Sequence, residues 1–223
     1  MTHAHSRAFG GFGLMTTANK ITVTRILLIP LFVMMAIYYG KSVQHGHPQE
    51  WERLLTIGIF ILAAASDGID GYVARHWNQR SALGVVLDPI ADKGLLLAAI
   101  ITLSFSNWTY EFPLWFPVLV ITRDAVILIG TGLLHFLIGK AQVRPSWTGK
   151  AATAFQMVAI AGVLLQLHFM ELSVPRFFFA AQSIPDLSIL DLLVSIAGFF
   201  TLVSGFGYVM SGIRQLQAGG HAS

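Results

Sequence analysis

Six apolar runs dominate the chain, at about 22–39, 54–76, 82–105, 114–137, 149–170 and 188–212. A helix rises 1.5 Å per residue, so about 20 apolar residues cross a hydrocarbon core about 30 Å thick. Runs of this length restrict the fold more than any other feature, because a backbone in lipid must satisfy its hydrogen bonds internally. The expectation is an all-α integral membrane protein, a six-transmembrane-helix bundle. Composition agrees, since 55% of the 223 residues are hydrophobic and 11% are charged, against about 25% charged in soluble domains. No internal repeat or low-complexity segment is visible. Residues 1–223 therefore read as one membrane domain, with 1–20 as a cytoplasmic or interfacial lead-in. There is no cysteine, which excludes disulfides and thiolate-held metal. The net charge of +3 is too small to mark a nucleic-acid partner.

The distribution of that charge sets an orientation. With the N-terminus inside, the cytoplasmic segments hold Arg7, Lys20, Arg25, Arg75, Arg80, Lys140, Arg144, Lys150 and Arg214. The outer loops hold Lys41, Arg53 and Arg176, while Lys93 and Arg123 fall within spans. Nine against three follows the positive-inside rule, which places both termini in the cytoplasm.

Into this apolar background the chain sets Asp67-Gly-Ile-Asp70-Gly71-Tyr-Val-Ala74-Arg75 and, shortly after, Gly84-Val-Val-Leu-Asp88-Pro-Ile-Ala-Asp92. On helices, Asp67 and Asp70 stand at i,i+3 and Asp88 and Asp92 at i,i+4, so each pair shares a face. The polar segment 76–81 reads as a turn. In an antiparallel hairpin about it, Asp67 matches Asp92 in depth and Asp70 matches Asp88. Each aspartate at a helix centre costs about 2.5–3.5 kcal/mol, so four cost roughly 10–14 kcal/mol before mutual repulsion. Packing offers no return for that. One or two divalent cations bound through oxygen would compensate it. From the residues alone, this is a membrane-embedded carboxylate site for divalent metal near the cytoplasmic surface. The basic residues around it suit an anionic substrate.

Three further constellations flank the acids. Asn19-Lys-Ile-Thr22-Val-Thr-Arg25 opens the first span. Asn19 and Thr22 suit a helix cap, and Arg25 suits a side chain reaching lipid phosphate; the alternative is that they line the entrance of the site. Thr122-Arg123-Asp124 interrupts the fourth run. It reads either as a private ion pair or as function, the default for an ionisable residue inside a membrane. Lys150, Thr153 and Gln156 repeat at i,i+3 at the start of the fifth span. A snorkelling lysine explains the first of these and neither of the others. In the sixth span, Ala197, Thr201 and Gly205 form a small-residue face suited to helix contact.

The pattern D-x-x-D-G-x-x-A-R, eight residues, then G-x-x-x-D-x-x-x-D resembles the signature of the CDP-alcohol phosphotransferase family, integral-membrane enzymes of phospholipid head-group synthesis. The N-x-x-T-x-x-R and K-x-x-T-x-x-Q patterns are similar to those of its phosphatidylglycerophosphate and cardiolipin synthase branches. The resemblance implies attack of an acceptor hydroxyl on the lipid-linked phosphate of CDP-diacylglycerol, with CMP leaving. It implies two divalent cations, Mg2+ or Mn2+, on Asp67, Asp70, Asp88 and Asp92, with Asp92 as the general base. It implies a CDP pocket lined by Asn19, Thr22, Arg25, Gly71, Ala74, Arg75, Ser81 and Gly84. Arg123, Lys150, Thr153 and Gln156 would then face a phosphate-bearing acceptor.

The resemblance favours glycerol 3-phosphate as acceptor and a homodimer as assembly. One departure counts the other way. Thr131 stands where relatives using glycerol 3-phosphate carry a second arginine, which keeps phosphatidylglycerol, the acceptor of cardiolipin synthases, as the alternative. A UbiA-like prenyltransferase would have its aspartate motifs far apart in about nine spans. A cation transporter would explain the acids but not Ala74, Arg75 and the spaced Gly84.

Overall fold

The computed structural model describes residues 17–77, 82–138, 146–167 and 188–219. Within the helices it leaves out the side chains of 17–21, 67–77, 82–90 and 92, and a few near the later helix ends. The protein is all-helical, with α1 at Thr17–Gln44, α2 at Glu50–Trp77, α3 at Ala82–Phe105, α4 at Trp115–Ile138, α5 at Trp147–Leu164 and α6 at Ile189–Gly219. Each covers one of the six apolar runs.

Three stretches are long and apolar enough among the described residues to cross a membrane: Thr22–Gln44, Trp115–Leu134 and Ile189–Gln215. In α3 the apolar stretch among the described residues is Lys93–Phe105. α5 stops at Leu164, short of the expected 170. There Leu165 caps the helix, its amide bonding Ala161 O, and Gln166 turns left-handed at φ 56°. The Gln166 side chain donates to Tyr39 Oη at 2.6 Å, which ties that turn to α1.

The surface is apolar and part of the interior is polar, the reverse of a protein folded in water. Leu128, Phe136 and Phe206 are exposed, whereas Thr22, Arg25, Gln156, Thr201 and Ser204 are buried. Lipid is the solvent such a surface requires.

Packing falls into two groups. α1 lies against both α2 and α3, and α6 lies against both α4 and α5. Among the described residues α2 and α3 touch each other only lightly, and both rest against α1. The Phe32 and Phe60 rings meet at 5.7 Å in the α1–α2 contact, and Ile29 packs on Gly94 in the α1–α3 contact.

One end of the bundle is closed by tight turns. α1 ends with Gly46 at φ 75°, whose amide bonds Val43 O, while the His47 amide bonds Ser42 O. This pair of bonds satisfies carbonyls that a helix end leaves free. Past the end of α3, Asn107 is left-handed at φ 55°, and Asn is among the few side chains that accept that conformation readily. Gly40 lies directly under the Ser106 carbonyl, where no side chain fits. Trp108 Nε1 donates to Ala36 O at 2.9 Å, and its ring packs edge-on against Tyr39.

Ser188 and Asp191 cap α6 reciprocally: the Ser188 amide donates to Asp191 Oδ2 at 3.0 Å, and the Asp191 amide donates to Ser188 Oγ at 3.2 Å. Tyr110 in the α3–α4 connection donates to Asp191 at 2.8 Å. Burial pushes the Tyr110 hydroxyl well above the usual tyrosine range, and the hydrogen bond to that carboxylate pushes it further. This end thus gathers aromatic rings and helix caps.

Candidate active site

The opposite end carries the acids, and helix register fixes their depth. α1 and α2 run antiparallel, and Phe32 meets Phe60. Seven residues toward the start of α1 is Arg25, and seven toward the end of α2 is Asp67. Seven residues are about two helical turns, so these positions share one level. Thr22 is level with Asp70 by the same count. α1 and α3 run parallel, with Ile29 beside Gly94. Four residues back on each, Arg25 is level with residue 90, between Asp88 and Asp92. By this register the four aspartate positions lie near one level of α1.

That level of α1 is itself polar and buried. Thr22 is 0% exposed and Arg25 is 1% exposed. Such burial removes the reading in which Arg25 extends to lipid phosphate, and it turns the arginine toward the interior that α2 and α3 share with α1. Asn19 lies one turn further out on α1, and Gly71, Ala74, Arg75 and Gly84 continue α2 and α3 beyond the acids. Ser81 lies outside the described residues.

Among the described residues no group of three or more His, Asp or Glu side chains could hold a metal ion; the four aspartate side chains are not among them. The chemistry of the donor set is the remaining test. Carboxylates alone, without sulfur or imidazole, at one level of a bundle suit a hard divalent cation such as Mg2+ or Mn2+.

The second constellation is described atom by atom. Lys93 on α3 donates from Nζ to both oxygens of Asp124 on α4, at 2.9 Å each. Arg123 donates from Nη1 to Asp124 Oδ1 at 2.6 Å and from Nη2 to Ser204 Oγ on α6 at 2.9 Å. The Arg123 side chain is 9% exposed, and its guanidinium carbon stands 5.9 Å from the centre of the Tyr208 ring. Its Nε is buried and makes no hydrogen bond among the described residues. The pair Arg123–Asp124 is thus not private, because it joins α3, α4 and α6. Since Lys93 follows Asp92, the network sits at the depth of the acids.

α5 completes this level from the other side. Ser146 caps it, accepting from the Gly149 amide at 3.1 Å. Gly149 is buried against Arg123: a β-carbon there would lie 3.0 Å from Arg123 Nη2 and 3.2 Å from Ser204 Oγ. Lys150, the next residue, is exposed. The expected stripe then separates by depth. Thr153 returns its hydroxyl to Gly149 O at 3.1 Å. Gln156, two turns below Gly149, is buried and donates from Nε2 to Thr201 Oγ1 at 2.8 Å. Arg123 is brought to Gly149, and Gln156 is brought to α6.

The small-residue face of α6 is also occupied from within. Ala197 and Thr201 are fully buried, and Gly205 lies against the aliphatic part of Arg123. That face is the seam with α4 and α5, so a contact between copies would have to use another surface. Lys93, Gly149, Ser204 and Tyr208 were not singled out by sequence. An ionisable residue inside an apolar run was signal enough for Lys93; nothing in the sequence marked the other three.

A family model for CDP-alcohol phosphatidyltransferase matches residues 15–207. Over 194 residues the chain is 34% identical to the CDP-diacylglycerol--glycerol-3-phosphate 3-phosphatidyltransferase of Bacillus subtilis, covering 85% of this chain and 91% of that protein. The protein of the same name from Escherichia coli K12 is 32% identical over 176 residues, 78% of this chain and 90% of its own length. A probable phosphatidylglycerophosphate synthase of Mycobacterium tuberculosis H37Rv is 31% identical over 200 residues, 89% and 82% of the two chains.

Proposed function

The chain belongs to the CDP-alcohol phosphatidyltransferase family, and from that premise we propose that it transfers a phosphatidyl group from CDP-diacylglycerol to glycerol 3-phosphate, releasing CMP. It is an enzyme of the phosphatidyltransferase class. The observation that carries the acceptor is the network of a largely buried Arg123, a partly exposed Lys93 and a buried Ser204 at the depth of the four aspartates. A phosphate-bearing alcohol has the charge this network lacks. The names of the Bacillus and Escherichia relatives favour the same acceptor.

The residues divide the work as follows. Asp67, Asp70 and Asp88 hold the divalent cations and, with them, the diphosphate. A bound pair of Mg2+ or Mn2+ ions supplies neutralisation of the diphosphate and of the charge that builds on the attacking and leaving oxygens. Arg25, buried at their level, faces the same anionic group from α1, with Asn19 and Thr22 beside it. Gly71, Ala74, Arg75, Ser81 and Gly84 line the cytidine end, where small residues admit a flat base close to the backbone. Arg123 and Lys150 take the acceptor's phosphate, with Thr153 and Gln156 behind them. Asp92 accepts the proton of the attacking hydroxyl. The new bond joins that oxygen to the lipid-bearing phosphorus, and the bond to the bridging oxygen of CMP breaks.

In this reading six spans leave both termini on the cytoplasmic side and the site near the cytoplasmic face, where the soluble acceptor arrives while CDP-diacylglycerol enters from the membrane. The positive-inside count supports this orientation. The assembly is a homodimer. Purified protein given cytidine-labelled CDP-diacylglycerol should release CMP only when glycerol 3-phosphate and a divalent cation are both present. Release that ignores added glycerol 3-phosphate, or that persists in excess chelator, would contradict the reading.

A further inference from the structure

Lys93 belongs to none of the motifs, yet its ammonium meets both oxygens of the carboxylate that also holds Arg123. Two cations share one anion. Arg123 and Asp124 alone would form a closed neutral pair with little attraction for a further anion. With Lys93 included, the three side chains carry a net positive charge in surroundings where an uncompensated charge is unfavourable. Arg123 also keeps a donor in reserve. Nη1 and Nη2 are engaged by Asp124 and Ser204, whereas Nε is buried without a hydrogen-bond partner among the described residues.

We infer that Lys93 is a positioning residue for the acceptor's phosphate. By neutralising Asp124 it leaves the Arg123 guanidinium with charge to spare, and by joining α3 to α4 it holds that guanidinium at the depth of Asp92. Lys93 acts on acceptor affinity through Asp124, without touching the acceptor. The inference rests on the reading of Arg123 as the phosphate ligand.

The test is steady-state kinetics of the full chain in nanodiscs, with glycerol 3-phosphate and CDP-diacylglycerol varied in turn. Lys93→Met should raise the KM for glycerol 3-phosphate roughly tenfold, the size expected for a weakened charge-assisted contact. The KM for CDP-diacylglycerol should stay within about twofold, and Lys93→Arg should restore most of the loss. Lys93→Gln removes the charge but keeps a donor for Asp124; it should show the same rise and serves if the methionine variant does not fold. In an Asp124→Asn background, Lys93→Gln should add little, since the two act as one unit.

An unchanged KM for glycerol 3-phosphate in Lys93→Gln overturns the inference. So does an equal rise for both substrates, or a full multiplicative effect in the Asp124→Asn background. Arg123→Met separates the two levels of failure. If it leaves acceptor KM unchanged, the phosphate-ligand reading falls and takes the inference with it. If it raises acceptor KM while Lys93→Gln does not, the inference alone falls.

Discussion

Gly149 is where one added carbon reports on the acceptor site. An alanine β-carbon would stand 3.0 Å from Arg123 Nη2, 3.1 Å from Ser146 Oγ and 3.2 Å from Ser204 Oγ. All three neighbours are in hydrogen bonds, so the crowding has to be relieved by shifting the guanidinium. Gly149→Ala is expected to raise the KM for glycerol 3-phosphate severalfold and to leave the KM for CDP-diacylglycerol near its original value. Gly58→Ala, which meets nothing within 4 Å, is the matched control and should behave as the parent. Equal kinetics in the two variants would detach Gly149 from the acceptor. Among the acids, Asp92→Asn should abolish turnover while CDP-diacylglycerol still binds, because amide cannot take the proton. Asp67→Asn should weaken metal dependence and nucleotide binding together. Near-normal turnover in Asp92→Asn would remove it from the role of base.

α1 organises the half of the bundle that carries the acids, and its tightest point is far from the chemistry. A β-carbon on Gly40 would overlap the Ser106 carbonyl oxygen, which is backbone and cannot step aside as a side chain can. Gly40→Ala should therefore destabilise the protein by about 3 kcal/mol, the upper end for overpacking, seen as a lower thermal midpoint in detergent. An unchanged midpoint would mean the α1 to 106-loop contact is looser than described. All six helices were legible in the sequence, because apolar runs of span length announce themselves. The common level of the acids is an expectation from spacing, and their side chains lie outside the described residues. What the sequence hid was which helix partners which. Only packing shows that α1 lies against both α2 and α3. The end of α5 was misjudged for a related reason: Leu165 and Leu167 read as continued apolar sequence, whereas Gln166 turns left-handed to reach Tyr39. The polar stripe on α5 was legible as a stripe, yet Gln156 is spent on Thr201. Interhelical bonds of this kind average about 0.6 kcal/mol in membranes. Gln156→Leu should cost about that much stability, and a change in acceptor KM beyond it would show that the side chain also serves the pocket.

For the molecule as a whole, orientation and chemistry can each be tested separately. The chain has no cysteine, so single substitutions report sidedness without background. Asn78→Cys, following α2 in the sequence, should react with an impermeant thiol reagent only from the cytoplasmic side, and Gln49→Cys, before α2, only from the other. The reverse pattern in sealed vesicles would invert the topology. The central claim concerns the acceptor. Two features pull apart here: Thr131 occupies the position of a second arginine, while the Arg123 network and the named relatives favour glycerol 3-phosphate. The direct measurement offers purified protein CDP-diacylglycerol with glycerol 3-phosphate and phosphatidylglycerol together, and identifies the product lipid by mass spectrometry. Phosphatidylglycerophosphate as the product is the result expected; cardiolipin as the sole product would contradict it.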